Sequence, residues 1–407
     1  MSGHLQPALT VFPIYPILDA MSVQPEISSA SAVIRKELGM KTKLFSPIKL
    51  RGLELPNRIV VSPMGQYSAN NGNASDWHYV HLGHLSLSGS GLLITEATVV
   101  HPNGRLSPGD LGIWSDENAA ALEPAIAFCR KYGGAKLGMQ LWHAGRKGSL
   151  SVAWEGQRPL SKEQGGWTIY SASAIPYPGR HTPVALDKNA IIEQINCYAK
   201  AAERANRIGL DLLEIHGAHG YLIHNFLSPL TNNRTDEYGG SLQNRMRFGL
   251  EIFKAIRNVW PDNKPIGMRV SATDWATGGW DIEETIEFSR ELKELGCDYI
   301  CASSGGSVPE QNLKVYPGYQ IPFAERIRKE AGIPTMAVGL ITEPQQAETA
   351  LQEGRTDMIA LGRGMLYNPR WPWHAATEFK EEFFYPKQYE RAHPSMRSGD
   401  FLKPMRG

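Results

Sequence analysis

The sequence predicts an α/β fold in which eight parallel strands alternate with helices. Short apolar runs rich in β-branched residues recur from residue 57 onwards, and amphipathic stretches separate them. Strands that are apolar on both faces are typical of parallel sheets covered by helices on each side. Eight such units in one chain favour a (β/α)8 TIM barrel over an open doubly wound sheet. A doubly wound nucleotide-binding fold would also need Gly-x-Gly-x-x-Gly after its first strand, where this chain has Ser62-Pro63-Met64-Gly65-Gln66-Tyr67.

The elements follow one another in a regular order. The apolar runs predict strands at Arg58–Met64, Leu92–Thr98, Lys136–His143, Leu210–His216, Pro265–Ser271, Tyr299–Ser304, Thr335–Ile341 and Met358–Gly362. Amphipathic periodicity predicts the clearest helices at Glu117–Lys131, Ala190–Arg207, Leu242–Val259, Ile282–Leu295, Phe323–Glu330 and Pro344–Gln352. The long connection 148–187 is rich in Trp, Pro, Gly and Ser, and we expect it to cap the upper face of the barrel, where the strands end.

The composition argues against several kinds of partner. The formal net charge is +1 and the basic residues are scattered, so no footprint for nucleic acid or an anionic membrane is visible. No apolar run reaches the roughly 18 residues that a membrane span needs. Cys129, Cys197, Cys297 and Cys301 lack metal-ligand spacing. We therefore expect buried free thiols and an intracellular, reducing location, the cytoplasm.

Residues 1–39 differ in composition from the rest of the chain. Their apolar stretch is interrupted by Pro13 and Pro16, and Arg35 and Lys36 are the only basic residues before residue 40. These features make a poor secretory signal and at most a weak organelle signal. We predict a mobile N-terminal extension over 1–39, a barrel over 40–380 that includes the capping insertion, and a C-terminal tail over 381–407.

The segment Glu214–Tyr221 carries the strongest functional signal. Two histidines, His216 and His219, and a phenol, Tyr221, follow an apolar run with only small residues between them. At the end of a buried strand they would place two imidazole donors and a phenol around one pocket. This set suits polarising a carbonyl oxygen while a proton is delivered to a nearby carbon.

The last two strand ends indicate a phosphate site. Gly339, Gly362 and Gly364 leave room for backbone N–H groups to approach phosphate oxygens, and Arg363 adds charge. Gln140 and Arg269 end two other strands and offer flat polar contacts and a cation. Together these features describe a flavin mononucleotide (FMN) site, in which Gln140 reads the pyrimidine edge and Arg269 favours the anionic reduced flavin.

At this point the sequence resembles the old yellow enzyme family, in particular its thermophilic-like or xenobiotic-reductase branch. The resemblance covers about residues 43 to 391. The matching segments are Leu44-Phe45-Ser46-Pro47, Pro56-Asn57-Arg58, Ser62-Pro63-Met64, Gly112-Ile113-Trp114-Ser115-Asp116, His143-Ala144-Gly145-Arg146-Lys147, His216 to Tyr221, Asn232 to Ser241 and Gly362-Arg363.

The resemblance implies an NADPH-dependent ene-reductase. Hydride would pass from NADPH to FMN and then to the β-carbon of an activated alkene, such as an unsaturated ketone, aldehyde, imide or nitroalkene. His216 and His219 would grip the substrate's activating oxygen, and Tyr221 would protonate the α-carbon. The residues implied in FMN binding are Pro63, Met64, Ala97, Gln140, Arg269, Gly339, Gly362 and Arg363. We assign Ser303, at the end of the sixth strand, to the same cofactor site.

The resemblance also extends to substrate contacts. Tyr67 would help to line the substrate pocket. Gln388-Tyr389-Glu390-Arg391 resembles an element that reaches into a partner subunit's site, which makes Arg391 a substrate-binding residue and implies a homodimer. The sequence departs from the branch at Gly65, where a cysteine is usual beside the flavin. This departure puts flavin tuning and substrate preference in doubt, but not the reaction class.

Three other readings stay open at this stage. A metal-dependent barrel hydrolase would use His216 and His219 as ligands, but it would need a histidine pair at the end of strand one, which ends in Pro63-Met64. An FMN barrel that modifies tRNA would need a basic stripe. A non-catalytic flavoprotein is suggested only by Gly65. The favoured reading needs no metal.

Overall fold

The computed structural model of the protein describes residues 42–392, and eight strands in this range close into a parallel barrel. The strands are β1 (Ile48–Leu50), β2 (Leu53–Leu55), β3 (Ile59–Val61), β4 (Leu92–Val99), β5 (Lys136–Trp142), β6 (Tyr170–Ser171), β7 (Val184–Ala185), β8 (Leu212–Gly217), β9 (Ile266–Ser271), β10 (Tyr299–Ser303), β11 (Thr335–Val338) and β12 (Met358–Leu361). The barrel order is β10-β11-β12-β3-β4-β5-β8-β9. The predicted (β/α)8 fold and its eight strands are confirmed.

Helices lie between successive barrel strands. They are α1 (Asp76–Ser86), α2 (Asp116–Tyr132), α3 (Lys188–Arg207), α4 (Leu222–Leu227), α5 (Leu242–Val259), α6 (Ile282–Glu294), α7 (Ile321–Glu330), α8 (Pro344–Gln352), α9 (Arg363–Tyr367) and α10 (Trp371–Phe379). The six predicted helices are confirmed. Helix α1 was not among the predicted helices. It exposes the apolar residues Trp77 and Val80 and buries His78, so its sequence lacks a clear amphipathic period. None of the helices within residues 42–392 has the length and apolar character that a bilayer crossing demands.

The barrel interior is filled by every second residue of its strands. On β8, Leu212 belongs to the interior cluster, whereas Leu213 and Ile215 pack in the layer between strands and helices. The β1–β2 hairpin covers the lower end of the barrel, because Leu50 and Leu55 join the interior cluster. The opposite end, where the strands finish, is therefore the open end.

A polar layer crosses four strands of the barrel. The register pairs Gln140 with Glu214, Glu214 with Gly267, and Gly267 with Tyr299. A Cβ atom at Gly267 would lie 2.2 Å from the Tyr299 ring, so glycine is required for that ring to pass over β9. The Tyr299 hydroxyl then reaches Glu214 Oε2 at 3.2 Å, and Gln140 Nε2 donates to Glu214 Oε1 at 2.7 Å.

The insertion 148–187 contacts residues near the upper ends of the strands. Arg146 Nη1 donates to the Pro176 carbonyl at 3.2 Å, and the Trp154 ring lies edge-on to Tyr67 at 6.1 Å. The predicted extension 1–39 and residues 393–407 of the predicted tail lie outside the described residues, and the proposed domain boundaries stay predictions.

Gly267→Ala is expected to lower the free energy of unfolding by about 1–3 kcal/mol, because the added methyl group overpacks the interior against Tyr299. Urea unfolding at saturating FMN measures the change. Gly65→Ala is the control: its Cβ atom would lie 3.4 Å from the nearest atom, an ordinary contact. This control is expected to stay within about 0.5 kcal/mol of the parent. Equal stability of the two variants would show that the interior can absorb the methyl group.

Candidate active site

The upper end of the barrel contains a cavity of about 150 Å³. Its lining residues come from four strands, β4, β5, β8 and β9, and from the loops after β3, β4 and β8: Pro63, Gly65, Tyr67, Glu96, Ala97, Leu106, Asp110, Gln140, Trp142, His216, His219, Tyr221 and Arg269. The structure thus brings together Gly65 and eight of the predicted site residues: Pro63, Tyr67, Ala97, Gln140, His216, His219, Tyr221 and Arg269. Glu96 and Ala97 both reach the cavity because a register shift between Thr95 and Ala97 breaks the alternation of β4.

A strained turn places His219 and Tyr221 beside His216. His219 has a φ of 58°, a left-handed conformation that non-glycine residues seldom adopt. The His219 N–H donates to Ser271 Oγ at 2.9 Å, and Lys147 Nζ donates to the His219 carbonyl at 2.9 Å. These contacts, from β9 and from the loop after β5, hold the turn in place.

A buried histidine and carboxylate support the same turn from below. The Gly220 N–H donates to His224 Nδ1 at 2.9 Å, and His224 Nε2 lies 3.0 Å from Asp274 Oδ1. Burial opposes ionisation of Asp274, but His224, Ser228 and the Trp280 N–H outweigh it and hold the pKa of this carboxyl below its usual range. The pair therefore fixes both the His224 ring and the backbone that precedes Tyr221.

The hydrogen bonds of His216 determine where its proton lies. Burial, reinforced by the Arg269 charge, holds the pKa values of His216 and His219 well below the usual range, so both imidazoles are neutral. The Ala218 N–H donates to His216 Nδ1 at 3.2 Å, which leaves the proton on Nε2. His216 Nε2 lies 3.2 Å from His219 Nδ1, and His219 Nε2 lies 2.7 Å from Ser303 Oγ. The chain of bonds therefore runs from His216 through His219 to Ser303.

Tyr221 is held as a protonated phenol. Its ring packs edge-on against Trp142 at 4.9 Å and against His216 at 5.0 Å between ring centroids. Burial, with smaller effects of Tyr67 and Asp110, raises the pKa of Tyr221 above its usual value. The cavity thus holds a neutral imidazole donor and a phenol donor side by side.

Comparison with known proteins identifies the family. The chain matches the NADH:flavin oxidoreductase / NADH oxidase family over residues 43–382. It belongs to this family. An NADPH dehydrogenase of Geobacillus sp. (strain WCH70) is 45% identical over 355 residues, which are 86% of this chain and 99% of that protein. An NADPH dehydrogenase of Listeria monocytogenes serotype 4a (strain HCC23) is 46% identical over 354 residues, with 86% and 99% covered.

Solved structures of flavin oxidoreductases share the fold. Morphinone reductase in complex with tetrahydroNAD has a TM-score of 0.70 at 26% identity, covering 88% of this chain and 94% of that one. The old yellow enzyme homologue from Zymomonas mobilis has a TM-score of 0.69 at 25% identity, covering 84% and 94%. The resemblance to old yellow enzymes is confirmed, and this flavin oxidoreductase is an FMN-dependent, NADPH-linked enzyme of that type.

The residues of this flavin oxidoreductase fit FMN. Arg269 donates from Nη1 to Ser62 Oγ at 3.0 Å, while its buried Nε has no partner within residues 42–392. At the end of β12, a Cβ atom at Gly364 would meet nothing within 4 Å, and one at Gly362 would meet Met64 only at 3.8 Å. This open backbone is what a phosphate needs for close approach, and Arg363 lies exposed beside it.

Six predicted site residues lie outside the cavity lining, and their assigned roles stay predictions: Met64, Ser303, Gly339, Gly362, Arg363 and Arg391. Ser303 bonds His219 and contacts Gln320 Oε1 at 3.4 Å. Gly339 has a φ of 114°, a conformation open to glycine, beside the Gln320 side chain. Arg391 is exposed in a short 3-10 helix, Lys387–Ala392, and its contact with a partner subunit stays a prediction.

The sequence reasoning counted Glu96 among the hydrogen-bonding groups at the strand ends, and it gave Trp142, Glu214 and Lys147 no role of their own. Glu96 accepts from the Gln66 N–H at 2.8 Å and lies 3.1 Å from His78 Nε2, so it holds the loop that contains Gly65. Trp142 and Glu214 lie two residues from Gln140 and His216, and the period of a strand could have revealed both. Lys147 lies in the loop after β5, and the matching segment His143–Lys147 included it without indicating a role. Burial and the Arg180 and Arg146 charges lower the pKa of Lys147 to about 7.

Gly65→Cys is expected to shift the flavin reduction potential and to narrow substrate scope while activity persists. The new Cβ atom would lie 3.4 Å from the Tyr67 ring, so the thiol fills cavity space and adds a polarisable group. Reductive titration measures the potential. The ratio of kcat/KM for a bulky and a small cyclic enone should fall roughly tenfold.

Gly65→Ser is the control for this variant, because it adds similar volume without sulfur. It should narrow the substrate range while moving the potential less than cysteine does. If Gly65→Cys changes neither the potential nor the substrate ratio, residue 65 does not face the flavin.

Proposed function

We propose that this flavin oxidoreductase reduces activated C=C bonds, such as those of α,β-unsaturated ketones, aldehydes, imides and nitroalkenes. The observation that supports the proposal is the pairing of His216 and Tyr221 on one wall of the cavity, with ring centroids 5.0 Å apart. One side chain is a neutral N–H donor, and the other is an O–H donor. Such a pair can bind an electron-withdrawing oxygen and protonate a nearby carbon.

His216 is the primary donor to the activating oxygen. Its Nε2 proton points to His219 in the structure and can turn to a substrate oxygen that enters between the rings. For His219 to donate as well, its proton must lie on Nδ1, and Ser303 must then donate to Nε2. A hydroxyl can both donate and accept, so Ser303 allows this exchange of tautomers without a change of charge.

Tyr221 is the proposed acid for the α-carbon. Its raised pKa keeps the phenol protonated across the working pH range, so the proton is available in every turnover. When bound, FMN would take hydride from NADPH and supply it to the β-carbon of the alkene. The protein's own part is to bind the oxygen, orient the alkene and deliver the proton.

The proposal also includes Tyr67 as a lining residue and Arg391 as a substrate contact across a homodimer. Tyr67 lines the cavity together with Tyr221, and its edge-on contact with Trp154 connects the cavity to the insertion. Arg391 would complete the cavity only from a second copy of the chain.

His216→Ala is expected to slow the reaction with a cyclic enone by roughly 10²–10³-fold, because it removes a donor that strengthens as charge builds on the oxygen. Reduction of the flavin by NADPH should change much less. Stopped-flow measurement of the two half-reactions separates these effects. Equal impairment of both would show that His216 serves the nicotinamide as much as the alkene.

Tyr221→Phe is expected to spare enone binding and to slow alkene reduction by about 10²–10⁴-fold, the usual range for a general acid. Rapid-mixing kinetics with reduced enzyme and 2-cyclohexenone measures the rate, and titration of the oxidised enzyme measures binding. Tyr67→Phe is the matched control and should stay within a few-fold of the parent. A parental rate for Tyr221→Phe would mean that another group or water supplies the proton.

A further inference from the structure

We propose that Glu214 is a positioning residue that sets which end of the Gln140 carboxamide faces the flavin and balances the charge of Arg269. The proposal rests on the FMN that the family establishes, and it does not depend on the identity of the alkene. Glu214 itself does not line the cavity. It acts through two residues that do, Gln140 and Arg269.

Glu214 is a fully buried acid in the barrel interior, two residues before His216 on β8. Burial of a carboxylate is costly unless partners compensate for the lost water. Its partners come from three other strands: Gln140 on β5, Arg269 on β9 and Tyr299 on β10. Burial raises the pKa of Glu214, and these three groups oppose that effect by favouring the charged form. Burying this carboxylate costs free energy, and two of its partners, Gln140 and Arg269, line the cavity. We therefore infer that Glu214 has a role beyond packing.

The contact with Gln140 has a direction. An ionised carboxylate can only accept hydrogen bonds, so it takes the Nε2 end of the carboxamide, at 2.7 Å from Glu214 Oε1. The Oε1 end of Gln140 is therefore the end free to serve the cavity. The isoalloxazine ring of a flavin has one ring N–H, at N3, between two carbonyl oxygens. A carbonyl acceptor is the group that recognises this N–H, and Glu214 is what prevents the carboxamide from turning over.

The effect on Arg269 is electrostatic. The strand register pairs Glu214 with Gly267 and His216 with Arg269, so Arg269 lies on the same inward face as Glu214, two residues nearer the open end, where it lines the cavity. The negative charge of Glu214 and the positive charge of Arg269 therefore attract each other inside the barrel. If the carboxylate becomes a neutral amide, the arginine charge is left less compensated. A positive charge at the site favours the anionic reduced flavin over the neutral oxidised flavin, so the reduction potential should rise.

The test is Glu214→Gln, which keeps the shape of the side chain, removes its charge and allows Gln140 to turn. Two measurements on purified protein reloaded with flavin test the orientation of Gln140 and the charge balance at Arg269. The first compares the dissociation constants of FMN and N3-methyl-FMN. The parent should prefer FMN by roughly 10–100-fold, because methylation leaves the Gln140 acceptor unpaired. The methyl group has the same steric cost in the parent and in Glu214→Gln. If Gln140 is no longer held in one orientation in the variant, its preference for FMN over N3-methyl-FMN should fall to about fivefold or less.

The second measurement is the reduction potential. In Glu214→Gln the reduced flavin should bind about tenfold more tightly relative to the oxidised flavin than in the parent, a rise of about 30 mV for a two-electron couple. Glu348→Gln is the matched control, because Glu348 is a second buried acid that accepts from the Lys43 and Leu44 N–H groups away from the cavity. It should leave both the preference and the potential at parental values.

Glu214→Asp separates the two effects and keeps the test valid if Glu214→Gln does not fold. The aspartate side chain keeps the negative charge, but it is one methylene group shorter, so its carboxylate lies further from Gln140. The preference for FMN over N3-methyl-FMN should then fall while the potential stays close to the parent. An undiminished preference in Glu214→Asp overturns the orienting role, and an unchanged potential in folded Glu214→Gln overturns the charge-balancing role. Neither result bears on whether the enzyme reduces alkenes.

Discussion

Closing eight strands into a barrel decides which face of every strand is enclosed, and the position of each functional side chain depends on this constraint. Leu212, Glu214 and His216 alternate inward along β8, while Leu213 and Ile215 pack beneath the helices. Along the enclosed face of β8, the side chain is therefore apolar at the lower end (Leu212), ionisable in the middle (Glu214) and a hydrogen-bonding imidazole at the open end (His216). A slip of one residue in register would turn all three side chains outward together. The same alternation thus builds the core and delivers the active site.

Burial then fixes the protonation states that the site requires. Enclosure keeps the imidazoles of His216 and His219 neutral and the phenol of Tyr221 protonated. The Ala218 N–H selects the tautomer of His216, and Ser271, Lys147 and His224 hold the turn that follows it. Donors held in this way need little reorganisation during the reaction, which is the main advantage of a preorganised site. The left-handed conformation of His219 is stabilised by these surrounding contacts.

The strand pattern and the short motif at Glu214–Tyr221 made most of the architecture and the central histidines predictable. Strands buried on both faces have an unambiguous composition, and the ends of parallel strands must meet at one end of a barrel. The helix α1 escaped because its buried residues include His78, and its exposed face carries Trp77. The support of the turn by His224 and Asp274 also escaped, because the two residues are separated by fifty positions and meet only after folding. Contacts of this kind, between a short helix and a distant loop, leave no periodic trace in a single sequence.

The absence of a thiol from the cavity has a chemical consequence. None of the four cysteines lines the described cavity, and glycine occupies position 65 on its wall. Burial also raises the pKa of each of the four thiols. Activated alkenes are electrophiles that alkylate thiolates by conjugate addition, and a thiol must ionise before it attacks. For the proposed substrates, the side chains lining the described cavity offer imidazole, phenol and carboxamide groups and no sulfur nucleophile. An enzyme with the proposed activity would therefore meet maleimides and similar reagents without a thiol in the described cavity to capture them covalently.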